Sequence, residues 1–190
     1  MTRIAILASG SGSNAEEITR YFSQSEEAEV VLILTNNPSA YVLERAKRLN
    51  VPTEVFSREE LMKTDKVLNI LKNYDIDFIV LAGFLLLVPK NLIEAFPDRI
   101  VNIHPALLPK YGGKGMYGDR VHTAVKEAGD LESGITIHFV NDHYDEGTTI
   151  FQATCPITNE DTPETLARKV HALEYKYYPE VIASVISKLS

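Results

Sequence analysis

Cysteine is nearly absent from this chain. The single Cys155 cannot form an internal disulfide, and a reducing compartment such as the cytoplasm suits it. An excess of basic residues is missing too: 19 Lys and Arg stand against 26 Asp and Glu, for a formal net charge of −7. That balance argues against a nucleic acid or an acidic membrane as main partner, while leaving room for a local basic pocket. No window reaches the roughly 18 apolar residues of a membrane helix. The start, MTRIAILASGSGSN, runs straight into a strand and a glycine loop, without the apolar core and cleavage site of a signal peptide. No group of His, Cys and carboxylates has metal-ligand spacing, so no metal is expected. Repeats, low-complexity segments and linkers are also absent. What remains is ordinary for a globular domain: 190 residues, 45% apolar and 24% charged, enough for one domain with a sizeable core.

Taken in order, Arg3 to Ala8 (RIAILA) is an almost wholly apolar run, as in a parallel strand buried on both faces. Ser9 to Asn14 (SGSGSN) follows, and a helix opens near Ala15 with Ile18, Tyr21 and Phe22 on its apolar stripe. Strand, glycine-rich turn and helix together offer free backbone N–H groups to an anion. The spacing Gly10-x-Gly12-x-x-Ala15 also matches a dinucleotide fingerprint, which needs an acidic residue after the second strand to hold a ribose. The second strand, Glu29 to Thr35, ends in Asn36-Asn37-Pro38 instead. A single phosphate therefore fits better than a nicotinamide dinucleotide, and a plain tight turn is the alternative.

A helix over Ala40 to Leu49 and a short strand over Pro52 to Phe56 come next. Ser57-Arg58-Glu59-Glu60 has the form of a capping box and predicts a helix running to about Tyr74. Phe78 to Ala82 is a fourth buried strand, Pro89 to Phe96 a short helix, and Ile100 to Ile103 a fifth strand. This alternation predicts an α/β fold with a doubly wound, mostly parallel sheet. After His104 the pattern changes. Tyr111 to Arg120 holds four glycines and reads as a flexible, exposed loop. A helix over Val121 to Ala128 is followed by two alternating strands, Gly134 to Val140 and Thr148 to Thr154. They predict an antiparallel C-terminal addition. Thr162-Pro163 starts a last helix that runs to about Leu189, with Leu166, Val170, Leu173 and Tyr177 on one face.

The stretch Arg99 to Gly113, RIVNIHPALLPKYGG, organises the rest. Its strand breaks at His104-Pro105, because proline cannot donate to a ladder. Asn102 and His104 lie two apart and so share one side of the strand. An amide donor and an imidazole then stand together at a strand's carboxyl end, where open α/β sheets bind ligands. Such a pair can polarise a carbonyl and hold the oxyanion it becomes. The plainer alternative is a turn cap and strand terminator.

With ASGSGSN, LAGF at Leu81 to Phe84, NIHPALLPKYGG at 102–113 and GITIHFVNDHYDEG at 134–147 in place, the whole chain resembles the glycinamide ribonucleotide formyltransferases. These are folate-dependent enzymes of purine biosynthesis with a Rossmann-like formyltransferase fold. The resemblance implies transfer of a formyl group from N10-formyltetrahydrofolate, as co-substrate, to the amine of glycinamide ribonucleotide. It implies small-molecule substrates, a cytoplasmic monomer or homodimer, and no metal.

Residue by residue, the resemblance maps a catalytic triad onto Asn102, His104 and Asp145. The residue types suit the chemistry: an amide and a protonated imidazole can donate to a growing oxyanion, and a carboxylate can orient the ring or relay a proton. Asp142, Asp145 and Glu146 share one loop, and only the family alignment selects Asp145. The resemblance maps the substrate phosphate to Gly12, Ser13 and Asn14, and its ribose to Glu174, otherwise a solvated helix charge. It maps folate to Arg58, to Leu85, Leu86, Leu87 and Val88, to Asn102, and to Val140, Asn141 and Asp142. Residues 1–100 then form a nucleotide-phosphate half and 101–190 a folate and catalytic half of one domain. His138 fits a core histidine as well as a functional one, and Cys155 fits a buried strand residue. Two departures concern the folate mouth: Leu86 stands where relatives often carry arginine, and the loop 112–120 is rich in glycine. Formyltetrahydrofolate hydrolases and methionyl-tRNA formyltransferases share the fold but normally add a domain, and the acidic charge suits tRNA poorly. A nucleotide-binding module or dehydrogenase would leave Asn102, His104 and Asp145 as coincidence.

Overall fold

The computed structural model describes residues 1–189. Five parallel strands, β1 (Thr2–Leu7), β2 (Ala28–Thr35), β3 (Thr53–Val55), β4 (Phe78–Leu81) and β5 (Ile100–His104), are continued by antiparallel β6 (Glu132–Phe139) and β7 (Thr149–Pro156). They form one sheet in the order β3-β2-β1-β4-β5-β6-β7. The order reverses at β1, so β1 and β4 send their following loops to opposite faces. The crevice this opens at the strands' carboxyl ends is the usual place for a ligand in such sheets.

Alternation along the strands splits the core in two. Ile4, Ile6, Val80, Val101 and Ile103 face α1 (Ser13–Phe22), α2 (Val42–Arg48), α6 (Asp119–Ala128) and α7 (Pro163–Leu189). Ala5, Leu7, Ile79, Leu81 and Ile100 face α3 (Arg58–Lys63), α4 (Lys66–Asn73) and α5 (Lys90–Ala95). Tyr178 of α7 is buried, and its hydroxyl donates to the Leu81 carbonyl at 2.8 Å, tying the long helix to the middle of the sheet.

The expected doubly wound sheet with its antiparallel addition is present. One helix differs. The single helix expected over Ser57 to Tyr74 is two, α3 and α4. The capping box at Ser57 is formed as read, with Glu60 N donating to Ser57 Oγ at 3.1 Å. The break falls at Thr64, which is extended at φ −137°. Its hydroxyl donates back to the Glu60 carbonyl at 2.6 Å, while the Lys66 amide donates to that hydroxyl at 3.2 Å. A Thr-Asp pair in a polar run competes with the backbone for hydrogen bonds, and residues 62–66 are all exposed, so burial does not hold the helix together there. On α1, Ile18 and Phe22 are buried as expected, but Tyr21 is half exposed and Ala15 takes its place in the core.

Candidate active site

The loop after β1 is the first wall of the site. Gly12 caps α1 at φ 74°, a conformation only glycine adopts freely. A Cβ at Gly12 would also lie 2.6 Å from Val42 Cβ and 2.9 Å from its Cα, so α2 packs directly onto the loop. The amides of Ser11, Gly12, Ser13 and Asn14 have no partner among the described hydrogen bonds. They form an N-terminal nest of the kind that receives an anion. Asn14 Nδ2 donates to Glu174 Oε2 at 2.9 Å. Glu174 is 6% exposed, not a solvated surface charge, and burial raises its carboxyl above the ordinary carboxylate range.

The second wall is the β5–β6 pair. Asn102 stands opposite His138 in the ladder, and His104 opposite Thr136. Because side chains alternate, these four share one face. His138 Nδ1–H donates to the carbonyl of Phe139 at 2.8 Å, since a carbonyl can only accept. Its Nε2 then accepts from Asn102 Nδ2 at 3.1 Å. Burial holds the His138 imidazole below its ordinary pKa, consistent with this neutral form. The contact sets the Asn102 amide with its NH2 toward His138, leaving its second N–H unclaimed.

His104 is buried, and its Nε2–H donates to the Tyr111 carbonyl at 2.7 Å. Its other nitrogen, Nδ1, lies 3.5 Å from Asp145 Oδ2. Asp145 Oδ2 also accepts from the Gly113 amide at 3.0 Å, and Oδ1 lies 3.8 Å from His138 Nε2. Asp145 sits at φ 57°, which Asp tolerates better than most residues. Gly147 lets this loop close on β6: a Cβ there would lie 2.7 Å from the Phe139 carbonyl carbon. Residues 102, 104, 138 and 145, distant in sequence, thus converge.

One cavity of about 790 Å³ joins the two walls. That volume suits a drug-sized ligand. Gly12, Ser13, Asn14 and Glu174 line it, as do Asn102, His104 and Asp145, Arg58, Leu85 to Val88, Val140 and Asn141. Asp142 does not: it is exposed and faces outward, with Oδ1 2.9 Å from His143 Nδ1. Val88 is buried while Leu85 is 44% exposed, so the segment after LAGF is partly wall and partly rim. The glycine loop 113–118 lines the cavity from above.

Sequence reasoning missed His122 and His171, and it left His138 undecided. His122 is buried on α6, lines the cavity, and its ring centroid is 6.4 Å from that of His171 on α7. Burial holds the His122 imidazole below its ordinary value. A histidine on an amphipathic helix gives no local signal that separates core from cavity. His138 had one usable signal, its register opposite Asn102. Among the described residues no group of His, Cys, Asp and Glu could hold a metal ion, and no helix is long and apolar enough to cross a membrane.

The family model for formyl transferases matches residues 2–182. A chloroplastic phosphoribosylglycinamide formyltransferase of Arabidopsis thaliana is 42% identical over 96% of this chain, which spans 65% of that protein. The phosphoribosylglycinamide formyltransferase of Bacillus subtilis is 34% identical over 98% of this chain and 95% of its own length. The crystal structure of the enzyme of that name from Bacillus halodurans superposes with a TM-score of 0.88 at 37% identity, covering 100% of this chain and 97% of that one. The chain belongs to the formyl transferase family.

Proposed function

We propose that this member of the formyl transferase family transfers the formyl group of N10-formyltetrahydrofolate to the amine of glycinamide ribonucleotide, a step of de novo purine biosynthesis. One observation carries the reading. The anion nest at Gly12 to Asn14 and the Asn102, His104 and Asp145 cluster open into the same cavity. An acceptor with a phosphate at one end and an amine at the other spans these two walls.

In this reading Gly12, Ser13 and Asn14 hold the phosphate, and Glu174, fixed by Asn14, takes a ribose hydroxyl. Arg58, Leu85 to Val88, Val140 and Asn141 form the folate side, with the rim of the Asp142 loop beside them. The amine attacks the formyl carbon, a new C–N bond forms, and negative charge grows on the formyl oxygen. The free N–H of Asn102 donates to that oxygen, and so does Nδ1–H of His104 in its imidazolium form. Asp145 Oδ2 faces Nδ1 at 3.5 Å and orients the ring. It also passes the proton lost by the attacking amine, directly or through water, toward the folate nitrogen as its C–N bond breaks. Residues 1–100 supply the phosphate loop and 101–190 the catalytic strand pair, although Arg58 and Leu85 to Val88 on one side and Glu174 on the other cross that division.

Absorbance of the deformylated folate, followed with and without glycinamide ribonucleotide, tests the reading. Turnover that requires the amine is expected. Equal turnover without it would make the protein a formyltetrahydrofolate hydrolase.

A further inference from the structure

The phosphate loop is held from behind. Three consecutive carbonyls, those of Gly10, Ser11 and Gly12, would repel an anion if they turned into the cavity. Each is tied elsewhere. Val42 N–H donates to Gly10 O at 3.1 Å, Arg45 Nε–H donates to Ser11 O at 2.8 Å, and Glu16 N–H donates to Gly12 O at 2.9 Å. Two of these ties come from α2, which also packs against Gly12 through Val42. Arg45 is itself fixed. Its guanidinium pairs with Glu16, whose side chain is 14% exposed, and lies 5.2 Å from the centre of the Tyr41 ring. Glu16 is also held by Arg20, and these two arginines keep its carboxyl below the ordinary range, Arg20 first.

We propose that Arg45 is a positioning residue for the substrate phosphate: by drawing the Ser11 carbonyl back onto α2, it turns the amides of Ser11 to Asn14 toward the cavity. It acts through the loop, on the face away from the ligand. A peptide unit is planar, so fixing one carbonyl fixes the direction of the next residue's N–H. Here the Ser11 carbonyl fixes the Gly12 N–H, at the centre of the nest. The inference rests on the reading of this loop as the phosphate site.

Steady-state kinetics on the full chain test it, with glycinamide ribonucleotide, N10-formyltetrahydrofolate and ribose 5-phosphate as a competing probe. A charge-assisted hydrogen bond lost in Arg45→Met should raise the ribonucleotide KM and the ribose 5-phosphate inhibition constant about tenfold. The folate KM and kcat should stay within about twofold, because the hydrogen bonds and ion pairs described for Asn102, His104, His138 and Asp145 involve no residue of α2. Arg45→Lys should fall between, since one ammonium replaces a fork that serves two partners. An unchanged ribonucleotide KM in Arg45→Met would overturn the inference, and so would an equal rise of both KM values with a fall in kcat. If Arg45→Met does not fold, Arg45→Lys decides: a selective rise in ribonucleotide KM supports the inference and wild-type values overturn it. Ribose 5-phosphate that fails to compete in the wild type would instead sink the phosphate reading of the loop, and this inference with it.

Discussion

The two walls of the cavity are built from different materials. The Gly12 to Asn14 wall is backbone: peptide amides, a left-handed glycine and a helix N-terminus, with α2 packed behind. The β5–β6 wall is side chain: buried His104 and His138 with half-buried Asn102 and Asp145, held by one another and by the carbonyls of Tyr111 and Phe139. A backbone nest binds a charge that is already present on the substrate. Side-chain donors held in place aim at charge that appears only as the reaction proceeds, and that difference separates binding from rate. Changes to the first wall should therefore move the ribonucleotide KM, and changes to the second should move kcat.

The largest effect is expected at Asn102. Asn102→Ala should lower kcat by roughly 10²–10³, the cost of one oxyanion donor in other enzymes. Near-normal turnover would break the division. Asp145→Asn keeps an acceptor for the Gly113 amide but loses the charge facing His104, and a loss of about 10² in kcat is expected where proton relay is impaired. Gly12→Ala meets both a positive φ and the α2 backbone, so its ribonucleotide KM should rise about tenfold. Its thermal midpoint should also fall, with strain of roughly 1–3 kcal/mol. An unchanged KM there would show that the nest does not hold the phosphate. His138→Ala removes the acceptor that orients Asn102, and a loss of about tenfold in kcat is expected from one hydrogen bond. Loss of ribonucleotide binding instead would blur the two walls.

The smallest effect concerns pH. Burial lowers the folded-state pKa of His122 and His138, while the unfolded chain binds those protons near the ordinary value of 6.5. Below about pH 6.5 the unfolded state therefore holds more protons, and stability should fall as pH falls from there until the folded-state values are passed. Thermal midpoints measured from pH 7.5 to 5.5 should decline, and less steeply in His122→Gln.

Sequence legibility follows the same division. The backbone wall announces itself, because Gly10, Gly12 and the strand before them are adjacent in the chain, and Gly12 is needed for a local reason, its positive φ. The parallel sheet with its antiparallel addition was legible too, since apolar runs alternate with helical ones and the Thr148 to Thr154 run alternates as an antiparallel strand does. The side-chain wall is assembled across the sheet. Asn102 and His104 could be read from one strand, but their neighbour His138 comes from register, and Asp145 from a loop in which Asp142 looks just as suitable. Only the family resemblance chose between those two, and the structure places Asp145 in the cavity and Asp142 outside it. The burial of Glu174 was hidden because a helix can point a carboxylate either way. The break at Thr64 was missed because a strong capping box says where a helix starts, and nothing about where it stops.

The division of labour is tested most directly by binding without turnover. Calorimetric titration of glycinamide ribonucleotide into wild type and Asn102→Ala should give dissociation constants within about threefold of each other, while kcat differs by roughly 10²–10³. Affinity lost in proportion to turnover would contradict the account, because Asn102 would then be holding the substrate and not the charge that develops on it.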